Sequence, residues 1–401
     1  MKETACKRIA ATLLCVAIML SMARFTTKGA AMSDDDIPVV SEEYFAEDAD
    51  TQSSDETEAP VETEIPAETE VPEETEAPAE TETPAETETP METEASSELE
   101  SDFDLSEIQV EAVAAYSGGD GSKENPYRIS TADDMWYLSG HSEDWSRCFL
   151  LTESIDLQNQ PWTPIGNNGG VKFTGTFDGG GKTISGLYIN STSGYQGLFG
   201  YITDGNIKNL HVQGVITAFS YAGGIAGALD PKNNTDGHIE NCSFEGSITG
   251  GNGTSTAAQN IGGIVGYNHG GQVIGCTKYG GAVSGPTVIY VGGIVGQNSG
   301  SQARVENCSN TGTVTISGGK TSNAGGIVGI NVSGTITNCT NSGAVSGGQD
   351  SDGQIGGIVG VSNSGTVSQC YNTATVSGTT AVGGVVGKTA AQSHSATTPA
   401  L

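Results

Sequence analysis

The sequence predicts an all-β protein: a right-handed parallel β-helix, or solenoid, with a short N-terminal capping helix, preceded by a disordered acidic linker. Two interlocked repeat markers carry this reading. GxxG segments begin at Gly197, Gly224, Gly263, Gly293, Gly326, Gly357 and Gly384, in steps of 27, 39, 30, 33, 31 and 27 residues. Between them runs a second marker (IKNL, IENC, VIGC, VENC, ITNC, VSQC) whose last residues, Leu210, Cys242, Cys276, Cys308, Cys339 and Cys370, are spaced 32, 34, 32, 31 and 31. A third observation is local. Short runs of β-branched residues alternate with Gly, Asn and Ser, the punctuation of strands and turns. Strands that return once per repeat suit a chain that coils, so that each strand pairs in parallel with its counterpart one repeat later.

In chain order, residues 1–31 read as an export signal. Lys2, Lys7 and Arg8 form a basic start, Ile9 to Ala23 an apolar stretch, and Gly29-Ala30-Ala31 a small-residue cleavage region. The apolar stretch is shorter than the roughly 20 residues that span a bilayer, so no stable membrane insertion is expected after cleavage. Cys15 follows Leu14 inside that stretch, which argues against lipidation. Residues 32–112 form the linker. Ser33 to Glu111 hold 30 of the 48 acidic residues and no Lys or Arg, and prolines recur at 60, 66, 72, 78, 84 and 90. Such a segment has little to bury, repels itself, and is expected to be an extended spacer. The charge of −32 therefore describes mainly this segment; residues 112–401 contribute 11 minus 17, or −6. Nucleic acid is excluded as a partner because clustered Lys and Arg are missing.

Residues 113–196 are expected to hold the N-terminal cap and first coils, with a helix from about Ala132 to Ser139 started by Thr131 and Asp134 and carrying Met135, Trp136 and Leu138 on its apolar face. Residues 197–388 are the repeats and 389–401 a disordered tail. Within the repeats, counterpart residues should stack about 4.8 Å apart. Leu198, Ile225, Ile264, Ile294, Ile327, Ile358 and Val385 then form one aliphatic ladder, and Leu210 with the five cysteines another. Asn209, Asn241, Asn307 and Asn338 precede the second ladder, and Asn310, Asn341 and Asn372 follow it by two. Asparagine can hydrogen-bond along a stack and tolerates tight turns. Gly214, Gly246, Gly280, Gly312 and Gly343 fall four residues after the ladder, where a bend without a Cβ is expected.

The segments GGIVG, TNCTNSGAVSG and GLFGYITDGNIKNL resemble the GLUG repeat. GGDGSKENPYRISTADDMWYLS, TESIDL, WTPIG and FTGTFDGGGKTISGLYI resemble the region that precedes such repeats in Gram-positive surface proteins. The resemblance covers about Ser117 to Lys388. It implies a parallel β-helix at an extracellular surface. Some members sit in streptococcal immunoglobulin A metallopeptidases, but the zinc motif HExxH is missing: none of His141, His211, His238, His269 and His394 begins one. No peptidase domain, cofactor or metal is therefore expected.

Other chemistry was weighed residue by residue. Glycan cleavage on a β-helix needs carboxylates gathered on one face; only Glu240 and Glu306 share a repeat position, about 9.6 Å apart at two strand spacings. DGGGKT, from Asp178 to Thr183, lacks the first glycine of a phosphate loop and leads into a strand, so it reads as a turn. Cys148 and the five repeat cysteines could be buried thiols, disulfides between coils or, least suitably, zinc ligands. Asp350 and Asp352 read as an exposed turn rather than a calcium site. Tyr195, Tyr201, Phe219, Tyr221, Tyr267, Tyr279, Tyr290 and Tyr371 could form a binding surface or pack in turns, and none is assigned as a site.

The function expected is a non-catalytic secreted or cell-surface repeat protein, an adhesion or display module for a host or microbial surface glycan or protein. A glycan-processing β-helix and a stalk of a larger protein are the alternatives. The end in TAAQSHSATTPAL has neither LPxTG nor an evident cap, so the edge of the last coil is expected to be met by an edge-to-edge partner, by the tail itself or by further chain. Mass spectrometry of the exported protein should find a new N-terminus after Ala31, or secondarily after Ala23; an intact first 31 residues would overturn the export reading.

Overall fold

The structure, a computed structural model, describes residues 116–232, 237–251, 259–285, 290–317, 322–347 and 353–390. The expected signal, linker, Asp350 and Asp352, and the chain beyond 390 lie outside the described residues.

The chain enters through the strand Tyr127–Ile129 and the helix α1, Ala132–Gly140. Thr131 and Asp134 form the reciprocal cap expected of them: Thr131 Oγ1 accepts from Asp134 N at 3.2 Å and Asp134 Oδ2 from Thr131 N at 2.9 Å. Met135 and Leu138 are fully buried and Trp136 packs half-buried against the core, so α1 covers the open end of the first coils.

Behind α1 the fold is a parallel β-helix with seven strands in each of two faces, hence about seven turns. One turn runs Tyr290–Gly292, Val295–Ser299, Arg304–Glu306, then Ser309–Asn310 and Thr313–Ile316, before the next begins at Asn323–Gly325. The strand pairs between coils are parallel, and most keep the repeat in register, for example Val273 to Val305 to Ile336 to Val367. The fourth face starts as single long strands, Thr183–Asn190, His211–Thr217 and Ser243–Thr249, and divides into two short strands per coil from Thr277 onward.

Both predicted apolar ladders are core. Leu198, Ile225, Ile264, Ile294, Ile327 and Ile358 are fully buried, with Val385 partly covered at the last coil. Each such burial contributes about 1.5–3 kcal/mol. Leu210 and the five repeat cysteines are buried beside them, and those five and the half-buried Cys148 are free thiols. Each ladder thiol donates weakly to a backbone carbonyl of the preceding coil, as from Cys308 Sγ to Val273 O at 3.5 Å and from Cys339 Sγ to Val305 O at 3.5 Å. Burial pushes the Cys242 thiol up to about 12, and the five buried ladder thiols fill the core as small apolar groups.

The asparagines divide by role. Asn209, Asn241, Asn307 and Asn338 have φ of 53°, 52°, 56° and 52° and turn the chain in the left-handed region. Asn310, Asn341 and Asn372 point inward as an amide ladder, Asn310 Nδ2 to Asn341 Oδ1 at 2.9 Å and Asn341 Nδ2 to Asn372 Oδ1 at 2.8 Å, with the second hydrogen on the carbonyls of Gly312 and Gly343 at 2.8 Å. A second buried ladder, Asn268 to Asn298 to Asn331, has steps of 2.8 Å and escaped the repeat alignment. It begins where Leu229 stands in the preceding coil, which leaves Asn268 Oδ1 without a donor among the described residues.

Lys278 also escaped it. The side chain is 0 % exposed, occupies the column Val212, Phe244, Lys278, Asn310, and donates to the carbonyls of Gly246 at 2.9 Å, Tyr279 at 3.0 Å and Gly280. Its ammonium lies 5.5 Å from the Phe244 ring centre. Lys278 thus joins an apolar core to an amide core.

One glycine expectation is corrected. A Cβ on Gly246 would lie 1.9 Å from Gly214 O and one on Gly343 1.9 Å from Gly312 O, so the bend does exclude side chains. In the coil between, however, Gly281 and not Gly280 meets Gly246, at 2.0 Å. The register passes from Glu245 against Tyr279 to Ile248 against Val283, so that coil holds one extra residue, a bulge.

Two stability measurements follow from these cores. Asn341→Leu strands several buried partners and should cost about 2–4 kcal/mol in urea unfolding; an unchanged midpoint would show the ladder to be dispensable. Burial holds Lys278 down to about 8, against a small opposing pull from Glu245. The unfolded chain then binds the extra proton up to about pH 10.4. Relative to Lys278→Met, the natural chain should gain stability as pH rises from about 8 to about 10.4, and a flat difference would contradict this burial.

Candidate functional site

Five aromatic rings from three successive coils meet on one side of the solenoid. Tyr195 (strand Gly194–Gln196) and Tyr221 (strand Ser220–Ala222) stack with ring centres 4.6 Å apart and planes 3° from parallel. Tyr201 lies 5.3 Å from Tyr195, Tyr267 meets Tyr221 edge-on at 5.8 Å, and His269 lies 5.7 Å from Tyr267 with planes 10° apart. Tyr267 and His269 flank the fully buried Asn268 on the strand Val265–His269. The inward amide therefore anchors the strand while its neighbours present rings outward.

The backbone is strained to do this. Tyr195 has φ 60° and Tyr221 φ 48°, a region in which a bulky residue costs about 1–3 kcal/mol. The same outlier in two adjacent coils places two rings face to face.

Asp230 ties the rings together. Its Oδ2 accepts from the Tyr201 hydroxyl at 2.5 Å, its Oδ1 lies 2.8 Å from His269 Nδ1, and the Lys172 ammonium sits 4.7 Å from the Tyr201 ring centre. Burial would raise the Asp230 carboxyl, but the bonds from His269 and Tyr201 hold it below its usual range. His269 is raised by its bond to Asp230 against a smaller effect of burial, and burial pushes Tyr267 up to about 12. Beside His269 opens a cleft of about 480 Å³ lined by Asp230, Pro231, Lys232, Gly270, Gly300 and Gln302 among others.

Most other sequence candidates lie apart. Glu240 and Glu306 do sit in one column, two coils apart with Ile274 between. Glu240 stands in register with Lys208, and Glu306 pairs with Arg304 at 3.0 Å. The DGGGKT segment is a turn in which Asp178 Oδ1 accepts from Gly180 N at 3.0 Å before the strand Thr183–Asn190. Ser243 Oγ lies 2.6 Å from His211 Nδ1, but Glu245 is 3.7 Å from the other ring nitrogen, beyond hydrogen-bond reach. Tyr279 and Tyr371, 47 % and 44 % exposed, lie on the fourth face, away from the ring cluster. Among the described residues, no group of three or more His, Cys, Asp or Glu could hold a metal ion, and no helix is long and apolar enough to cross a membrane.

The family model described as the GLUG motif matches residues 287–315, within the GGIVG and VENC markers. Over 140 residues the chain is 36 % identical to a protein of Evansella cellulosilytica named as a Gly-rich membrane protein, covering 33 % of this chain and 16 % of that one. Over 169 residues it is 30 % identical to halomucin of Haloquadratum walsbyi, covering 39 % and 2 %. The chain thus spans a small part of either relative. A solved chain from Bacteroides ovatus, named as an immunoglobulin A1 protease, superposes with a TM-score of 0.56 at 23 % identity, over 68 % of this chain and 86 % of that one. That likeness is one of fold.

The Asp230 and His269 pair has a defined pH window. Its raised His269 contributes stability that is complete below the unfolded value of about 6.5 and is lost as pH rises through the higher folded value. Its lowered Asp230 contributes stability above about 3.9, lost as pH falls through the folded value. An NMR titration of the imidazole should give a midpoint above 6.5 that drops in Asp230→Asn; a midpoint unmoved by that change would show the pair to be broken in solution.

Proposed function

We propose that the chain is a non-catalytic, secreted or cell-surface repeat protein of Gram-positive type, which binds surface material of a host or of other microbes through one side of its β-helix. The carrying observation is the fixed aromatic face of Tyr195, Tyr201, Tyr221, Tyr267 and His269 around Asp230. Rings held by stacking and by bonds between coils lose little freedom when a partner docks, which favours binding. The names of the Evansella and Haloquadratum relatives support a location at the cell exterior, as does the expected export signal. A catalytic role finds less support, since Glu240 and Glu306 each face a base and His211 lacks an orienting carboxylate within reach.

The test pairs binding with catalysis on the full exported chain. Incubated with bacterial cells, host matrix and soluble polysaccharides, it should be retained by at least one and release no reducing ends. Release of reducing ends would make it a glycan-processing enzyme, and retention by none would leave it a stalk.

A further inference from the structure

Resting on that reading, we propose that the cleft beside His269 is a carbohydrate subsite: an uncharged hexopyranose unit of a polysaccharide lies against the His269 ring, which Tyr267 backs at 5.7 Å, and hydrogen-bonds to Asp230, Lys232 and Gln302.

The cleft's lining selects this ligand over others. Large apolar side chains are missing from it, since Pro231 is the single apolar residue among Asp230, Pro231, Lys232, His269, Gly270, Gly300, Ser301 and Gln302. A peptide binding by apolar anchors would find no pocket to fill. Formal charge is nearly balanced, with Asp230 against Lys232 at the rim and Lys172 behind Tyr201. A polyanion would meet the carboxylate, and a cationic ligand the two ammonium groups. What remains is an alternation of donors and acceptors beside the His269 ring, which suits a molecule with hydroxyls around its edge and C–H groups on its faces.

The repeat itself makes room for the ligand. Gly270 (φ 85°) and Gly300 (φ 96°) occupy the turn after the second strand of each coil, Val265–His269 and Val295–Ser299, and the next coils place Ser333 (φ 63°) and Ser364 (φ 56°) there. The turn backbones are bonded coil to coil, Gly270 N to Ser299 O at 2.9 Å and Gly300 N to Val332 O at 3.0 Å, so the groove floor is rigid and without side chains at the two coils where the rings end. The strained Tyr221 buttresses Tyr267 edge-on. An outlier retained beside an open polar cleft is the placement expected of a binding site.

Affinity electrophoresis of the full chain through native gels containing a neutral glucan, mannan or galactan tests this, with a polyuronate as the charged control. At least one neutral polymer should retard the protein, and the polyuronate should not. Tyr267→Ala and His269→Ala should each weaken retardation about tenfold. Tyr221→Gly suits the left-handed backbone and should fold while losing the buttress, with an intermediate effect; Tyr279→Ala, on another face, should change nothing. Retention by the polyuronate alone, by no polymer, or equally by all variants overturns the subsite. If cells or matrix still retain the chain in those cases, the broader binding reading stands; if nothing retains it, both fall.

Discussion

The structure depends on one constraint: along the paired strands each residue lies beside its counterpart one coil away. In-register parallel pairing makes each column self-consistent or costly along its length. That constraint explains why the two sequence markers keep step. A Cβ on the second glycine of GGIVG would lie 2.5 Å from Asn310 Nδ2 at Gly293, 2.4 Å from the Asn341 amide at Gly326, and 2.5 Å from the Asn372 amide at Gly357. The same Cβ would lie still closer to the next coil's glycine carbonyl, 2.1 Å from Gly326 O at Gly293 and 2.1 Å from Gly357 O at Gly326, so the neighbouring backbone and the amide column together exclude a side chain. Conformational freedom is secondary at these glycines; the close approach excludes a side chain.

The same rule accounts for the change of core along the axis. The first coils are filled by Phe149, Phe173, Phe177 and Phe199 in mutual contact, as befits the end capped by α1. One column then reads Ile184, Val212, Phe244, Lys278, Asn310, Asn341, Asn372, and another Ile202, Leu229, Asn268, Asn298, Asn331, Ser362. Both switch from apolar to polar in the same coil. An amide inside a solenoid is tolerable because its neighbours offer the complementary atom at a fixed spacing; at the switch no such neighbour exists. Lys278 meets that problem with three backbone carbonyls, while Asn268 Oδ1 goes without a donor.

Where the repeat is perfect the surface is uniform, and the candidate site sits where it is not. Tyr195, Tyr201, Tyr221, Tyr267 and His269 come from coils with steps of 27 and 39 residues, the most unequal pair in the chain. Tyr195 and Tyr221 stack as counterparts in adjacent coils, but the other rings meet residues at different repeat positions, and Asp230 and His269 bridge neighbouring coils to hold them.

Much of the fold was legible in the sequence because a solenoid is its own alignment: counting Gly and Cys positions predicts which residues stack, and apolar Leu210 in the cysteine column already marks that column as core. The cap of α1 was legible from Thr131 and Asp134 for the same local reason. The inward turn of Asn268 and Lys278 was not, because the counterparts Leu229 and Phe244 differ in kind and a lysine or amide in a strand ordinarily faces water. The extra residue that makes Gly281 the stacking glycine left no mark on the spacing of the markers. Nor could the scattered tyrosines be grouped, since their proximity runs through corners and left-handed backbone that repeat counting does not see. The sequence by itself determined the coil and its columns, because periodicity forces neighbours; tertiary structure alone decided which departures from periodicity meet, because that depends on where each irregular coil turns.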